Sequence, residues 1–528
     1  FTGCGSDNGS SSAKSASAAS AASAENDTVD EDGKVNGIMY QEGLPLVDEG
    51  DYTFSIFCDD SSESGEFIML DEFKKQTNVD VDLKIYPYET ATERLNLDLN
   101  SGDYADVIGG WTLSDNAILT YGVNQGVFIP LEDYFEKYCP NISAILDLPG
   151  VREKMTAPDG HIYTIPYVCT DTTVGYSPYI NTKWLENVGM SMPTTTDEFE
   201  AVLKAFKEQD ANGNGDASDE IPFSTDPNNK HIEAMAGYFG LPMNKLGIAI
   251  QNEKVVYGGV SDTYREFLSW FHKLYAEGLV DVELYTQDSS TWEGKGNQDL
   301  YGVSIAYGSG EFTGIPAAEE RGDFDSMPVL NTDKDGIWLR DTEGFSVYRT
   351  QAVITNKAEH PEIICRWFDN AFALENGIGC NRGPVGVIVN KEDDGYHAID
   401  TTTLSEEDQE KYSWGNLWPQ SLPKYLPADF EFVEEHPMYD EKKATEEAYE
   451  ANLTKEIIPS YWIDLDKIDT FSDTNTAIKD FFEQQQAQFV CGELDIDNDA
   501  DWQAYVDGMY SLGLEDWVAT QGIEEIAK

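Results

Sequence analysis

Basic residues are scarce in this chain. Its 528 residues carry 34 Lys and Arg against 98 Asp and Glu, a formal charge of −64. A surface of that sign repels phosphate, which argues against nucleic acid as a partner. It also disfavours polyanionic sugars, unless a local basic pocket overrides the global field. No run of about 18 apolar residues occurs, so no stretch of the sequence reads as a membrane-spanning helix. The seven cysteines are Cys4, Cys58, Cys139, Cys169, Cys365, Cys380 and Cys491, and none falls in a CxxC pair. Zinc-ribbon and thioredoxin-type chemistry therefore have no support. The six cysteines beyond Cys4 are scattered, most in apolar surroundings, and are expected to be buried free thiols. No nucleophile elbow, HExxH or P-loop appears. With 98 acidic residues, a carboxylate pair suited to glycoside hydrolysis exists by chance, so such a pair carries no weight.

Aromatic residues, by contrast, are plentiful, with 28 Tyr and 11 Trp. They fit either a large core or a surface that stacks on something flat. The length exceeds what one simple core supports, so two or more lobes are expected.

The most informative stretch runs from Lys183 to Pro222. Thr195 with Glu198 three residues on forms a capping box. Phe199, Val202, Leu203 and Phe206 then follow at helical spacing as one apolar stripe. Directly after come Asp210, Asn212, Asn214, Gly215, Asp216, Asp219 and Glu220, dense in hard oxygen donors. Calcium takes six to eight oxygens around a sharply turned backbone. Asp210, Asn212 and Asn214 can point side-chain oxygens inward, Gly215 permits the turn, and the Asp216 carbonyl can add a ligand. Position 12, counted from Asp210, is Ile221 rather than the bidentate Glu of an EF-hand loop. Asp219 and Glu220 could close the shell earlier. The competing reading is a polar, Gly-rich turn. A bound calcium would be structural, since no His stands nearby as a base.

In chain order, Phe-Thr-Gly-Cys4 opens the sequence, and residues 5–36 are Ser, Ala, Gly and acidic residues with little to bury. They read as a flexible tether, with the fold beginning near Asp51. Tyr52, Phe54, Ile56 and Cys58 alternate as a strand. Glu66 to Gln76 reads as a helix, and Val79, Val81, Leu83 and Ile85 alternate again. Strand, helix, strand in so short a span predicts a βαβ unit with parallel strands. A helix near 91–99 and a strand at 105–108 follow, ending at Gly109, Gly110 and Trp111. Ligands of open α/β sheets bind beyond the carboxyl ends of strands, so Trp111 is placed to touch one. A core position is the competing reading. Tyr264, Phe267, Leu268, Phe271, Leu274 and Tyr275 share one helix face, with Gly278 as the stop. Pro361 to Ala373 is another helix. Trp414 and Trp418 stand in an aromatic-rich loop with Tyr412 and Tyr425. Sugar rings lie against aromatic planes, so Trp414 and Trp418 are candidates for a sugar platform, with Trp292 and Tyr307 as further candidates. Packing is the alternative for each.

The segments NSGDYADVI (100–108), DGHIYTIPY (159–167), 176–222, LYAEGLVD (274–281), VITNKAEHPEIICRWFDNAF (353–372) and DWQAYVDGMYSLGLEDW (501–517), in this order, resemble the extracellular solute-binding proteins of bacterial ABC importers. The carbohydrate-binding lipoproteins among them are the most similar. Gly-Cys4 resembles the end of a bacterial lipoprotein signal, with Phe1 where Leu is usual. The resemblance implies lipidation at Cys4 and a place on the extracellular face of the membrane, anchored by that lipid alone. It implies a two-lobed α/β fold of type II periplasmic-binding-protein kind, crossed by the chain near 167–172 and 346–353. Residues 1–50 would be anchor and tether. Residues 51–167 with about 347–395 would form one lobe, and 168–346 with about 396–528 the other. Ligand would lie in a cleft that closes on binding. Relatives such as the alginate oligosaccharide-binding proteins carry a calcium loop at this place. Their closing carboxylates come one residue earlier, which leaves Ser218 against Asp219 open. The function implied is non-enzymatic capture of a neutral oligosaccharide by a monomer that delivers it to ABC transporter permease subunits. A peptide-binding importer component and an extracellular glycoside hydrolase are the alternatives.

Overall fold

The computed structural model describes residues 24, 27–60, 66–170, 172–226, 231–314, 323–427, 430–433, 438–523 and 525–527. Cys4 and most of the expected tether lie outside them. The described residues group into two compact units. The first draws on 1–61, 73–165 and 349–369, and the second on 62–72, 166–348 and 370–528.

In the first unit, the alternation of apolar residues produces a sheet. β1 (Tyr52–Asp59) buries Tyr52, Phe54, Ile56 and Cys58. β2 (Val79–Tyr86) and β3 (Val107–Gly109) flank it, both parallel to it. Helices Ile68–Thr77 and Tyr88–Ser101 make the crossovers, as parallel pairing requires. The strand Ala352–Ile354 returns antiparallel to β3 and completes the order Ala352–Ile354, β3, β1, β2. Trp367, on helix Pro361–Ala371, is fully buried and meets Phe54 and Phe73 edge-on, at 5.3 and 5.5 Å between centroids.

The fold starts earlier than the expected boundary at residue 51. Val35, Met39, Leu46 and Val47 are buried, and Lys34–Val35 pairs with Met39–Tyr40 as a short hairpin. The Tyr138 hydroxyl donates to Asp27, and the Arg366 guanidinium donates to the carbonyls of Tyr40 and Gly43. A handful of apolar side chains in a polar stretch thus suffices to seat residues 27–50 on the unit.

The second unit centres on β4 (Ser177–Asn181), β5 (Ile221–Thr225), β6 (Tyr301–Ala306) and β7 (Phe324–Ser326), in the order β7, β4, β6, β5. β6 runs parallel to β5 and antiparallel to β4. Helix Thr196–Glu208 covers this sheet. The Thr195 hydroxyl caps it by accepting the Glu198 N–H at 3.2 Å, and Phe199, Val202, Leu203 and Phe206 are buried. Each such side chain contributes about 1.5–3 kcal/mol on burial. Helix Asp262–Ala276 buries Tyr264, Phe267, Leu268, Phe271 and Leu274 in the same core. Residues 370–395, expected in the first lobe, group with this second unit. The reason is local packing. A Cβ at Gly377 would meet the Tyr425 carbonyl oxygen at 2.0 Å, and Phe372 stacks on Tyr425. The strands Tyr167–Thr170 and Phe345–Tyr348 pair antiparallel next to the passages of the chain at 165–166 and 348–349. Cys58, Cys139, Cys365 and Cys380 are buried, Cys169 is half-buried and Cys491 exposed, all six as free thiols.

Candidate functional site

In the first unit, the carboxyl ends of β1 and β3 carry a buried acid and an exposed indole. Asp59 ends β1 and is fully buried. Its carboxylate accepts the N–H of Trp111 at 3.0 Å, and both the N–H and the hydroxyl of Thr112 at 2.6 Å. This approach depends on Gly110, whose φ is +126° and where a Cβ would lie 2.3 Å from Asp59 Oδ1. Trp111 is thereby turned outward and is 46% exposed. Its exposure excludes the alternative of a core position.

In the second unit, the carboxyl end of β6 presents Tyr307, which is 38% exposed. Its backbone is held on both sides. Glu311 accepts its N–H at 2.9 Å, while its carbonyl accepts from the Lys442 ammonium and from the Tyr179 hydroxyl at 3.1 Å. The Lys442 ammonium also sits 4.0 Å from the centre of the Tyr307 ring, a cation–π contact. Tyr176 meets Tyr307 edge-on at 6.1 Å and stacks on His231 at 4.1 Å, 13° from parallel. The result is a row of rings beside a set of acids.

Charges in this row are strongly perturbed. Lys442 is buried, and desolvation pulls its ammonium down to about 8 against the opposing pull of Glu311, Asp341, Glu441 and Glu446. Glu311 is solvent-accessible on its outer side but closely surrounded. Desolvation, aided by the Asp226 and Glu293 carboxylates, pushes it up to about 7. Desolvation, with the Lys245 charge, pushes the His231 imidazole down to about 3, so it is neutral at pH 7. Asp226 follows directly on β5, as Tyr307 does on β6. The strand-end argument that singled out Trp111 applies equally to Asp226, which the sequence reading missed. Lys442 lies in the charged run EKKATEEAYE, and nothing in that run marks it as buried.

Two of the expected platform residues belong to the core instead. Trp418 is fully buried and donates its indole N–H to the Leu422 carbonyl at 3.3 Å. Trp292 is 3% exposed, packs with Phe312, Tyr301 and Phe324, and donates to the Ser304 hydroxyl at 3.2 Å. Neither has a face to offer a ligand. Trp414 does, at 43% exposed, with the Lys424 ammonium 5.2 Å from its ring centre and the Gln420 amide on its carbonyl. Trp111 stands in the first unit, whereas Tyr307 and Trp414 stand in the second with separate neighbours.

The acidic loop after helix Thr196–Glu208 is a chain of Asx-type turns. Asp210 Oδ2 accepts the Gly215 N–H at 3.0 Å, Asn212 Oδ1 the Asn214 N–H at 3.0 Å, and Asn214 Oδ1 the Asp216 N–H at 2.7 Å. Gly213 and Gly215 take φ of +74° and +95°, the left-handed values such a tight loop needs. Asp219 faces the amides of Asn212 and Asn214 at 3.3 and 2.7 Å. The Ser218 hydroxyl turns to Asp216 at 2.6 Å. Glu220 Oε1 accepts the Ala211 N–H at 2.8 Å. The second oxygens, Asp210 Oδ1 and Glu220 Oε2, are buried with no hydrogen-bond partner. Burial raises the Glu220 carboxyl above its ordinary value, and the Asp219 charge adds to this. Two orphaned buried carboxylate oxygens at the two ends of one oxygen-rich loop are what a hard cation would satisfy. The residues present therefore fit calcium.

Residues 61–377 match the family model described as bacterial extracellular solute-binding protein. The chain is 33% identical over 335 residues to the fructooligosaccharide ABC transporter substrate-binding protein FusA of Streptococcus pneumoniae serotype 4, covering 61% of each chain. It is 28% identical over 280 residues to lipoprotein LipO of Bacillus subtilis, covering 51% of this chain and 52% of that one. The aligned stretches thus span between half and two-thirds of these curated relatives. Among solved structures, S. pneumoniae FusA in complex with kestose superposes with a TM-score of 0.76 at 26% identity, over 89% of this chain and 98% of that one. An EF-hand mutant of FusA in complex with fructo-nystose gives 0.75 over the same shares. Alginate-binding protein AlgQ2 without calcium ion shares the fold, with a TM-score of 0.74 at 22% identity over 91% and 99%. The fold is that of type II periplasmic-binding proteins, and the chain belongs to the bacterial extracellular solute-binding protein family.

Proposed function

We propose that this protein is the substrate-binding component of an ABC importer, and that it captures a neutral oligosaccharide outside the cell and delivers it to the permease subunits. The observation that carries this reading is the Tyr307 face, with Tyr176 at its edge and Lys442 behind it, at the carboxyl end of β6. Aromatic planes accept the apolar faces of sugar rings, and the neighbouring acids accept hydroxyl protons. Trp111 and Trp414 are the other exposed indoles of the set. Asp226, Glu293, Glu311 and Glu441 crowd the same region, and such a density of acids repels uronates. Among the relatives, the fructooligosaccharide-binding protein FusA takes ligands of this neutral class. The protein acts by binding and not by catalysis, as a monomer.

Calcium belongs to the same reading as a structural ion in the loop. Asp210, Asn212, Asn214, Asp216, Asp219 and Glu220 would hold it, and it would supply the charge that the orphaned oxygens of Asp210 and Glu220 lack. Lipidation at Cys4 would keep the protein on the outer face of the membrane.

A glycan array run against a panel of peptides tests the binding reading. Retention of neutral oligosaccharides, kestose among the probes, with no peptide retained, is the expected result. Retention of peptides alone would overturn it.

A further inference from the structure

The exposed ring of Tyr307 is unusual in how fully its residue is gripped. The amide N–H goes to Glu311 at 2.9 Å, the carbonyl to Lys442 and Tyr179, and the back of the ring meets the Lys442 ammonium at 4.0 Å. The grip is anchored in turn. Glu311 stands on the short helix Gly310–Thr313, whose preceding Ser309 is pinned by Glu441 through its N–H at 2.8 Å and its hydroxyl at 2.6 Å. Lys442 follows Glu441 on helix Met438–Tyr449 and donates also to the Gly175 carbonyl. The Gly175 N–H donates to Asp341 at 2.6 Å, and Thr173 binds Glu446 one turn along that helix. The helix therefore fastens the chain on both sides of the ring row.

A buried lysine whose acceptors are backbone carbonyls is an expensive way to fill space. A Met or Leu would pack there without the desolvation of a charge. What the ammonium supplies that an alkyl chain would not is a fixed orientation for one carbonyl and one aromatic plane.

We infer that Lys442 and Glu311 are positioning residues that clamp Tyr307 from opposite ends of its backbone and present its ring, edge-braced by Tyr176, as a preorganised stacking face. The inference rests on the sugar-binding reading for what the face is used for, but the clamp itself is a property of the fold. A rigid aromatic plane loses little entropy on binding, which is how preorganisation raises affinity.

The clamp is pH-sensitive on both sides, because Glu311 takes up a proton below about 7 and Lys442 loses one on the alkaline side. The groups facing the Lys442 ammonium are Glu311 from its short helix, Asp341 from the loop before Phe345, and Glu441 and Glu446 from its own helix. Desolvation pulls the ammonium down to about 8. Above that pH the cation–π contact and the charge assistance to the Tyr307 carbonyl are lost, and affinity falls.

The test uses the full chain labelled with tyrosine carrying 13C at the ring ζ position, which leaves the phenol's own acidity unchanged, with Tyr307→Phe assigning the resonance. The Tyr307 resonance is expected to shift with a midpoint near pH 8 in the unsubstituted protein and to show no such step in Lys442→Met. Calorimetric titration with kestose is expected to show Lys442→Met and Glu311→Gln weaker by about tenfold, the worth of roughly one stacked ring. Lys442→Arg, which keeps the charge, is expected to restore most of the binding. A resonance indifferent to pH and to Lys442→Met overturns the clamp, whatever sugar is bound. Normal kestose titration of Lys442→Met overturns the positioning role while leaving the sugar reading intact. If the unsubstituted protein binds no neutral sugar, the sugar reading fails, and the Tyr307 ring resonance alone decides the clamp.

Discussion

Removing calcium should destabilise the second unit, and the size of the loss can be reached by two routes. The first is structural. Asp210 Oδ1 and Glu220 Oε2 are buried without partners, and each such group costs about 1–3 kcal/mol when left unsatisfied. The pair therefore costs about 2–6 kcal/mol in the metal-free protein. The second route is mass action, which gives about 2.7 kcal/mol for an ion at a hundredfold excess over its dissociation constant. The two meet near 3 kcal/mol. For a unit of this size the melting temperature then falls by at most roughly 10 °C. The acid side follows from Glu220. Its carboxyl is raised in the folded protein. In the metal-free state its burial thus costs nothing below its unfolded value and an increasing amount as pH rises toward the folded one. Calcium removes that cost only once the carboxylate is ionised, so the gap between metal-loaded and metal-free melts narrows as pH falls into the ordinary carboxylate range. Differential scanning calorimetry with chelator, with calcium restored, and with magnesium in its place measures all of this. Asp210→Ala should melt at one temperature in all three. Melting curves of the unsubstituted protein that ignore both chelator and calcium would refute the argument.

Other outcomes follow from the placement of the aromatic residues. Trp418→Ala and Trp292→Ala should each lower stability by about 3–5 kcal/mol, as truncation of a core aromatic does, read by denaturant unfolding. A loss of sugar binding with an unchanged midpoint would put those indoles back on the surface. Trp414→Ala should leave the midpoint near its original value and weaken oligosaccharide binding about tenfold in calorimetry. Normal binding would remove it from the site. Gly110→Ala should distort the end of β3, because its Cβ would fall 2.3 Å from Asp59 Oδ1. A crystal structure of the variant with Asp59 still accepting from Trp111 and Thr112 would show that the glycine is dispensable. Pure protein incubated for hours with the oligosaccharide it retains should release no reducing ends, and reproducible release would support the hydrolase alternative.

Periodicity made the regular elements legible. The strand alternation of residues 52–58 and 79–85 appears as two parallel strands, and the stripe of Phe199, Val202, Leu203 and Phe206 appears as one buried helix face. These patterns are local, and burial on one face enforces them. The short hairpin before β1 escapes such patterns for a related reason. Residues 27–50 have too few apolar residues to show a period, but Val35, Met39, Leu46 and Val47 need no period to be buried. The return of 370–395 to the second unit rests on contacts of Gly377 and Phe372 with Tyr425, about fifty residues on, which no local pattern encodes.

The site was legible only where chemistry is written into spacing. The loop of Asp210 to Glu220 shows its oxygens at alternate positions, and the structure leaves two of them buried and unpaired. Aromatic residues carry no such mark. Trp414 and Trp418 lie four residues apart in one loop, but one is exposed and the other fully buried. What separates them is where the chain turns, with the Trp418 indole N–H closing on Leu422 and the Trp414 ring left beside Lys424. Position relative to a strand end marks another set of residues. Trp111 after β3, Asp226 after β5 and Tyr307 after β6 all follow carboxyl ends of parallel strands. There the next residues leave the sheet and need hydrogen-bond partners other than a neighbouring strand. At Trp111 and Tyr307 those partners are acids, Asp59 for one and Glu311 for the other, each accepting the amide N–H of the exposed ring's own residue. The same physical need, an amide released by the end of a strand, thus fixes an aromatic plane in each of the two units.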